Sequence, residues 1–138
     1  MSYGLAQARY ASDAASTVTP ARLLTMLYDR LVLDLTVAEQ AMRSGEIAAV
    51  GERLGRAQEI LLELHATLDL TAWPDGEALA RLYLWIVGEL STARLRGDAR
   101  RVADCRGLVE PLRDAWHQAA RSASGATGVA GPRLGGAA

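Results

Sequence analysis

The sequence predicts an all-α protein: an antiparallel four-helix bundle, with an N-terminal arm or short fifth helix before it and a disordered C-terminal tail after it. Three observations carry this. Apolar residues recur every third or fourth position through four successive blocks, the period of a helix that buries one face. Turn and cap residues separate the blocks by short loops, and a short loop returns the chain antiparallel. The composition is that of a helix former: half apolar and 22% charged, rich in Leu and Ala, with no Phe, Asn or Lys among 138 residues. A chain of this length makes one domain with a core large enough to fold unaided.

The arm, residues 1–18, holds Tyr3, Leu5 and Tyr10 with few charges and is expected to dock on the bundle. The bundle spans residues 19–121. Its first helix opens at Thr19-Pro20, where the Thr hydroxyl caps free amides and Pro at the first helical position forfeits no hydrogen bond. Leu24, Leu27, Leu31, Leu35, Ala38 and Met42 form its seam, and Ser44-Gly45 offers a left-handed stop. The second helix carries Ile47, Val50, Leu54, Ala57, Leu61, Leu64 and Leu68, and residues 69–74 end it.

The third helix follows Asp75-Gly76, turns Leu79, Leu82, Tyr83, Ile86, Leu90 and Ala93 inward, and stops at Gly97. Asp98 caps the fourth, whose seam is Val102, Cys105, Leu108, Leu112, Trp116 and Ala119. Pro111 falls inside that block. An interior proline removes one amide donor and crowds the preceding turn, at about 3 kcal/mol, so a kink or local break is expected there. Residues 122–138 contain five Gly, five Ala, one Pro and one charge, too little bulk to offset the entropy of ordering, and are expected to be disordered.

The chemistry of most enzymes is missing from the pattern. A di-iron bundle needs inward Glu residues and Glu-x-x-His pairs on facing helices; His65 follows Glu63 by two positions, on a different face, and Asp114 before His117 has no matching pair. No haem motif, Gly-rich phosphate loop or nucleophile motif occurs, so no catalytic residue, metal site or cofactor is expected. The 15 basic residues, all Arg, against 16 acids leave a formal charge of −1, which recruits neither nucleic acid nor anionic lipid. Arg94, Arg96, Arg100 and Arg101 cluster at the turn between the last two helices and make a modest case for an acidic partner. There is no run long enough to insert in a membrane, the N-terminus carries no cleavable secretion pattern, and Cys105 stands alone; a cytoplasmic location is expected.

What the pattern has in excess is apolar surface. The first helix is apolar at Leu23, Met26, Tyr28, Val32, Leu33 and Val37 as well as along its seam, the second at Ile60 and Leu62, and the third at Tyr83, Leu84, Trp85 and Val87. Each alone reads as core packing; together they point to a groove that accepts a partner's amphipathic helix.

Four landmarks, in order and correctly spaced, carry a resemblance. Tyr10 precedes Thr17-Val18-Thr19-Pro20 and Leu24-Thr25-Met26-Leu27-Tyr28-Asp29; then come Arg56-Ala57-Gln58-Glu59-Ile60-Leu61-Leu62-Glu63-Leu64, Leu82-Tyr83-Leu84-Trp85, and Leu112-Arg113-Asp114-Ala115-Trp116-His117-Gln118-Ala119. Over roughly residues 8–120 the chain resembles the FliS family, the flagellin-specific export chaperones of bacterial flagellar type III secretion. It departs from the family pattern at Arg30, Gly88-Glu89, Arg94 and Pro111.

The resemblance implies a cytoplasmic, non-enzymatic chaperone that binds the disordered C-terminal segment of flagellin, prevents its premature polymerisation and helps deliver it to a flagellar export gate protein. Tyr10 carries over from the family landmark as an anchor of the arm over a groove. Leu23, Met26, Ile60, Tyr83 and Val87, on or beside the seams, are expected to line the flagellin path. Two alternatives stay open at this point: a self-associating helical adaptor that forms a homodimer without cargo, and a metal-carrying bundle enzyme.

Overall fold

A computed structural model describes residues 19–127, with side chains to residue 123. It contains four α-helices, α1 (Pro20–Arg43), α2 (Ile47–Thr67), α3 (Glu77–Arg96) and α4 (Ala99–Thr127), with a 3-10 turn (Pro74–Gly76) leading into α3, and no strand among the described residues. The expected arm and most of the expected tail lie outside those residues. The chain divides into two compact units, Met1–Met26 with Asp114–Ala138, and Leu27–Arg113.

The caps form as the residues dictate. Thr19 Oγ1 accepts from the Arg22 amide at 3.1 Å, and Asp98 Oδ1 accepts from the Arg101 amide at 3.1 Å, each satisfying a donor that the first helical turn leaves over. Gly45 and Gly97 end α1 and α3 at φ 76° and 64°, a left-handed conformation in which a Cβ is strained. Asp69 Oδ1 accepts from the amides of Thr71 and Ala72, making the turn after α2. The ring of Trp73 lies over Gly76, with Cε3 only 2.7 Å from where a Cβ would stand.

Within Leu27–Arg113 the four helices share one core. Tyr28, Leu31, Leu35 and Ala38 enter it from α1, Val50, Leu54, Ala57, Leu61 and Leu64 from α2, Ala80, Tyr83, Ile86, Leu90 and Ala93 from α3, and Val102, Cys105 and Val109 from α4. Each large aliphatic side chain there contributes about 1.5–3 kcal/mol by leaving water. Polar bonds fix the register. Arg53 of α2 reaches the buried Asp34 of α1 at 2.9 Å, Arg101 of α4 reaches Glu89 of α3 at 2.7 Å, and Arg106 of α4 pairs with Glu39 of α1. Between α2 and α3, Gln58 meets Val87 and Ser91 while Gly51 meets Arg94, so numbers rise along one helix as they fall along the other. That is the antiparallel pairing expected.

Four expectations need correction, beginning with Ile47: expected on the seam of the second helix, it is 79% exposed as the first residue of that helix. The fourth helix buries Val109 and leaves Leu108 42% exposed, because the core-facing step from Cys105 is four residues rather than three. Pro111 lies inside a helix that continues through it, so of the expected kink or local break the break does not form. Finally, α4 continues to Thr127, six residues past the expected end of the bundle: Ala and Ser dominate that stretch, and Ala is the strongest helix former.

Candidate apolar docking cleft

Part of the spare apolar surface, Leu62, Leu84 and Leu95, falls on α2 and α3. On α2, Gly51, Gly55, Gln58 and Leu62 follow at steps of four, three and four, which puts them on one flank. On α3, Leu84, Val87, Ser91 and Arg94 do the same. Gln58 ties the flanks together: its Nε2 donates to the Val87 carbonyl at 3.0 Å and to Ser91 Oγ at 2.8 Å. Beside it opens a cleft of about 320 Å³, lined by Leu54, Gln58, Leu90, Ser91, Arg94 and Leu95.

Missing side chains keep this surface low. A Cβ added at Gly55 or at Gly88 would meet nothing within 4 Å. Under the antiparallel register Leu62 stands level with Leu84, each 47% exposed, about one turn of α2 beyond Gln58 of the cleft, and Leu95 is part of the cleft lining. From Gly51 to Leu62 is about 16 Å of helix, the length of three turns of a docked helix.

The electrostatics of this unit are structural. Burial pushes the Glu39 carboxyl up, but hydrogen bonds from Arg43 and Arg106 outweigh it and hold the group below the usual carboxylate range. Burial, reinforced by the negative charges of Glu89 and Asp104, pushes the Cys105 thiol up to about 11, and that sulfur is inside the core; it is a packing residue without nucleophilic use. No group of three His, Cys, Asp or Glu side chains among the described residues is arranged to hold a metal ion.

The expected contact residues are distributed unevenly. Leu23 and Met26 are exposed on the first turns of α1, in the unit that contains Met1–Met26. Ile60 and Val87 are half-buried but on different flanks: Val87 is at the α2–α3 seam, whereas Ile60 lies two turns from Arg53, on the flank of α2 that reaches α1. Tyr83 is not a surface residue. It is 3% exposed and its hydroxyl is bonded to that of Tyr28, because the core-facing arc of α3 takes in position 83 along with Ala80, Ile86 and Leu90. Tyr10 lies outside the described residues.

Sequence reasoning missed Gly55, Gln58, Ser91 and Leu95 as parts of this surface. A signal for them existed. Two interior glycines, Gly51 and Gly55, sit in a helix with no bend to explain them, each at about 1 kcal/mol against Ala, and they fall on the same line as Gln58 and Leu62. Of the basic cluster, Arg101 is bound to Glu89 and Asp98, and Arg100 lies near Asp104.

Comparison with known proteins gives a consistent result. The family described as Flagellar protein FliS matches residues 2–123. The chain is 30% identical over 113 residues to the Flagellar secretion chaperone FliS of Bacillus subtilis (strain 168), covering 82% of this chain and 84% of that protein. To the protein of the same name from Salmonella typhimurium it is 31% identical over 114 residues, 81% and 84% of the two chains. For that of Vibrio cholerae the identity is 28% over 104 residues, 75% and 76%.

Proposed function

The chain belongs to the FliS family of flagellar secretion chaperones, and from that premise we propose that it binds the disordered C-terminal segment of flagellin in the cytoplasm, prevents its premature polymerisation and assists its delivery to the flagellar type III export gate. Chaperoning is not an enzymatic role; binding and release suffice for it.

The observation that supports this reading best is the α2–α3 cleft, with the exposed Leu62 and Leu84 on the same two helices and Gly55 and Gly88, where a Cβ would meet nothing within 4 Å. Folding a disordered segment onto a partner buries about 1,000–3,000 Å² and costs about 2–5 kcal/mol in ordering, so the partner must supply long apolar surfaces. Leu62 and Leu84 are exposed apolar side chains on α2 and α3, Val87 belongs to the seam between these helices, and Tyr83 lies in the core with its hydroxyl on that of Tyr28. Leu23 and Met26 on α1, Ile60 on the other flank of α2, and Tyr10 of the arm are the further contacts of a cargo that wraps.

The test is titration calorimetry of the purified protein against the C-terminal segment of the host's own flagellin. Tight binding by the parent, weakened at least about tenfold by Gly55→Leu and by Met26→Asp while circular dichroism is unchanged, is the expected result. No binding by the parent overturns the function. Unchanged binding by folded Tyr10→Ala and Met26→Asp proteins removes those two residues from the contact.

A further inference from the structure

The cleft is lined by three leucines, Leu54, Leu90 and Leu95, by the polar Gln58 and Ser91, and by one charge, Arg94. At its Leu95 end the guanidinium of Arg94 lies across α2, with Nη2 2.7 Å from the point where a Cβ on Gly51 would stand. Glycine at 51 is what makes room for it. Of the other arginines of this turn, Arg101 is bound to Glu89 and Asp98 and Arg100 to Asp104, while Arg96, in the last turn of α3, is not among the residues lining the cleft. Arg94, by contrast, has no ion pair among the described residues, although it lines the cleft. On the same helix as Gly51, Glu52 pairs with Arg56 at 3.5 Å. No side-chain hydrogen bond caps the start of α2 near Gly51, and its N-cap residue is the acidic Glu46.

Resting on the flagellin reading above, we propose that Arg94 is a specificity-determining residue of the cleft: it selects a cargo helix that carries a carboxylate about 16 Å, or three turns, from the apolar side chains it seats between Leu62 and Leu84. The complementarity is of charge and spacing together. A guanidinium presents a planar fork of donors that a carboxylate accepts in pairs, and docking a helix over the cleft removes water from both, which strengthens the contact beyond that of an open surface pair. The apolar end supplies affinity; the arginine end fixes which way the cargo helix lies and rejects one with a cation at that position.

The experiment titrates the parent, Arg94→Gln and Arg94→Glu proteins with the C-terminal segment of the host's flagellin at several salt concentrations, with Asp or Glu positions of the segment changed singly to Lys. The expected result is binding about threefold to tenfold weaker for Arg94→Gln with a shallower salt dependence, weaker again for Arg94→Glu, and recovery of Arg94→Glu binding by one Lys substitution three turns from an apolar cluster. Arg94 is exposed, so the variants fold, and circular dichroism checks that. Parent binding that neither Arg94 variant alters overturns the assignment of Arg94 and leaves the chaperone reading standing. Failure of the parent to bind overturns that reading itself. Self-association of the parent that is abolished by Arg94→Glu gives the cleft to a second copy and overturns the cargo assignment.

Discussion

The hydroxyls of Tyr28 and Tyr83 lie 2.6 Å apart in the core, joining α1 to α3 across 55 residues of sequence. Two phenols that would each be costly to bury alone satisfy one another. Tyr83→Phe is expected to lower stability by about 1 kcal/mol, and a double-mutant cycle with Tyr28→Phe to show coupling of similar size, measured by urea unfolding. Burial first, and the bond to Tyr28 second, raise the ionisation of Tyr83 above the usual tyrosine range. Below about pH 10 folded and unfolded chains both hold the proton; above it the unfolded chain loses the proton while the folded one keeps it, so stability falls as pH rises. The alkaline loss is expected to be shallower in Tyr83→Phe.

Asp34 is fully buried, and Arg53 at 2.9 Å is its partner, while among the described residues Asp34 Oδ2 has none. Removing the cation strands a buried carboxylate. Arg53→Ala is expected to cost about 3 kcal/mol by thermal or urea unfolding. Arg81→Ala, at an exposed pair with Glu77, is expected to cost under about 0.5 kcal/mol. Replacing both partners by Asp34→Leu and Arg53→Met should recover most of the first loss, because it removes the charge along with its need of a partner.

Glu39 accepts from both Arg43 and Arg106, and its carboxyl ionises below the usual range despite the cost of burial. Its contribution is therefore present above the ordinary glutamate value of about 4.3 and is lost as pH falls through the lower folded value. Acid titration of the folded state should show the parent losing stability below about pH 4.5 more steeply than Glu39→Gln, whose stability at neutral pH is already lower.

Gly55 and Gly88 sit inside helices, and a Cβ at either meets nothing within 4 Å. Gly55→Ala and Gly88→Ala are each expected to stabilise the protein by about 0.5–1 kcal/mol, read as a rise in melting temperature. Gly97→Ala should do the reverse by a similar amount, since its φ of 64° strains any residue with a Cβ. If larger side chains at 55 preserve the fold but weaken cargo binding, the helix has kept its glycine for access rather than for folding.

Four helices, their caps and most of their inward faces were legible in the residues alone, because each depends on contacts three or four positions apart. Thr19, Gly45, Gly97 and Asp98 act through the local backbone, and the structure places all four as expected. The sequence likewise carried the family landmarks, since these are strings of adjacent residues.

Which apolar residues remain on the surface was decided only by tertiary packing. Tyr83 and Trp85 stand two positions apart in an equally apolar stretch, yet the first is bonded in the core and the second is 52% exposed. Ile60 and Val87 read as equivalent, yet Arg53 and Gln58 assign their flanks to different neighbours. The period of a helix specifies that one face is buried but not the angle at which its neighbours approach, and that angle, set by long-range partners such as Asp34, Glu39 and Ser91, determines where the cleft opens.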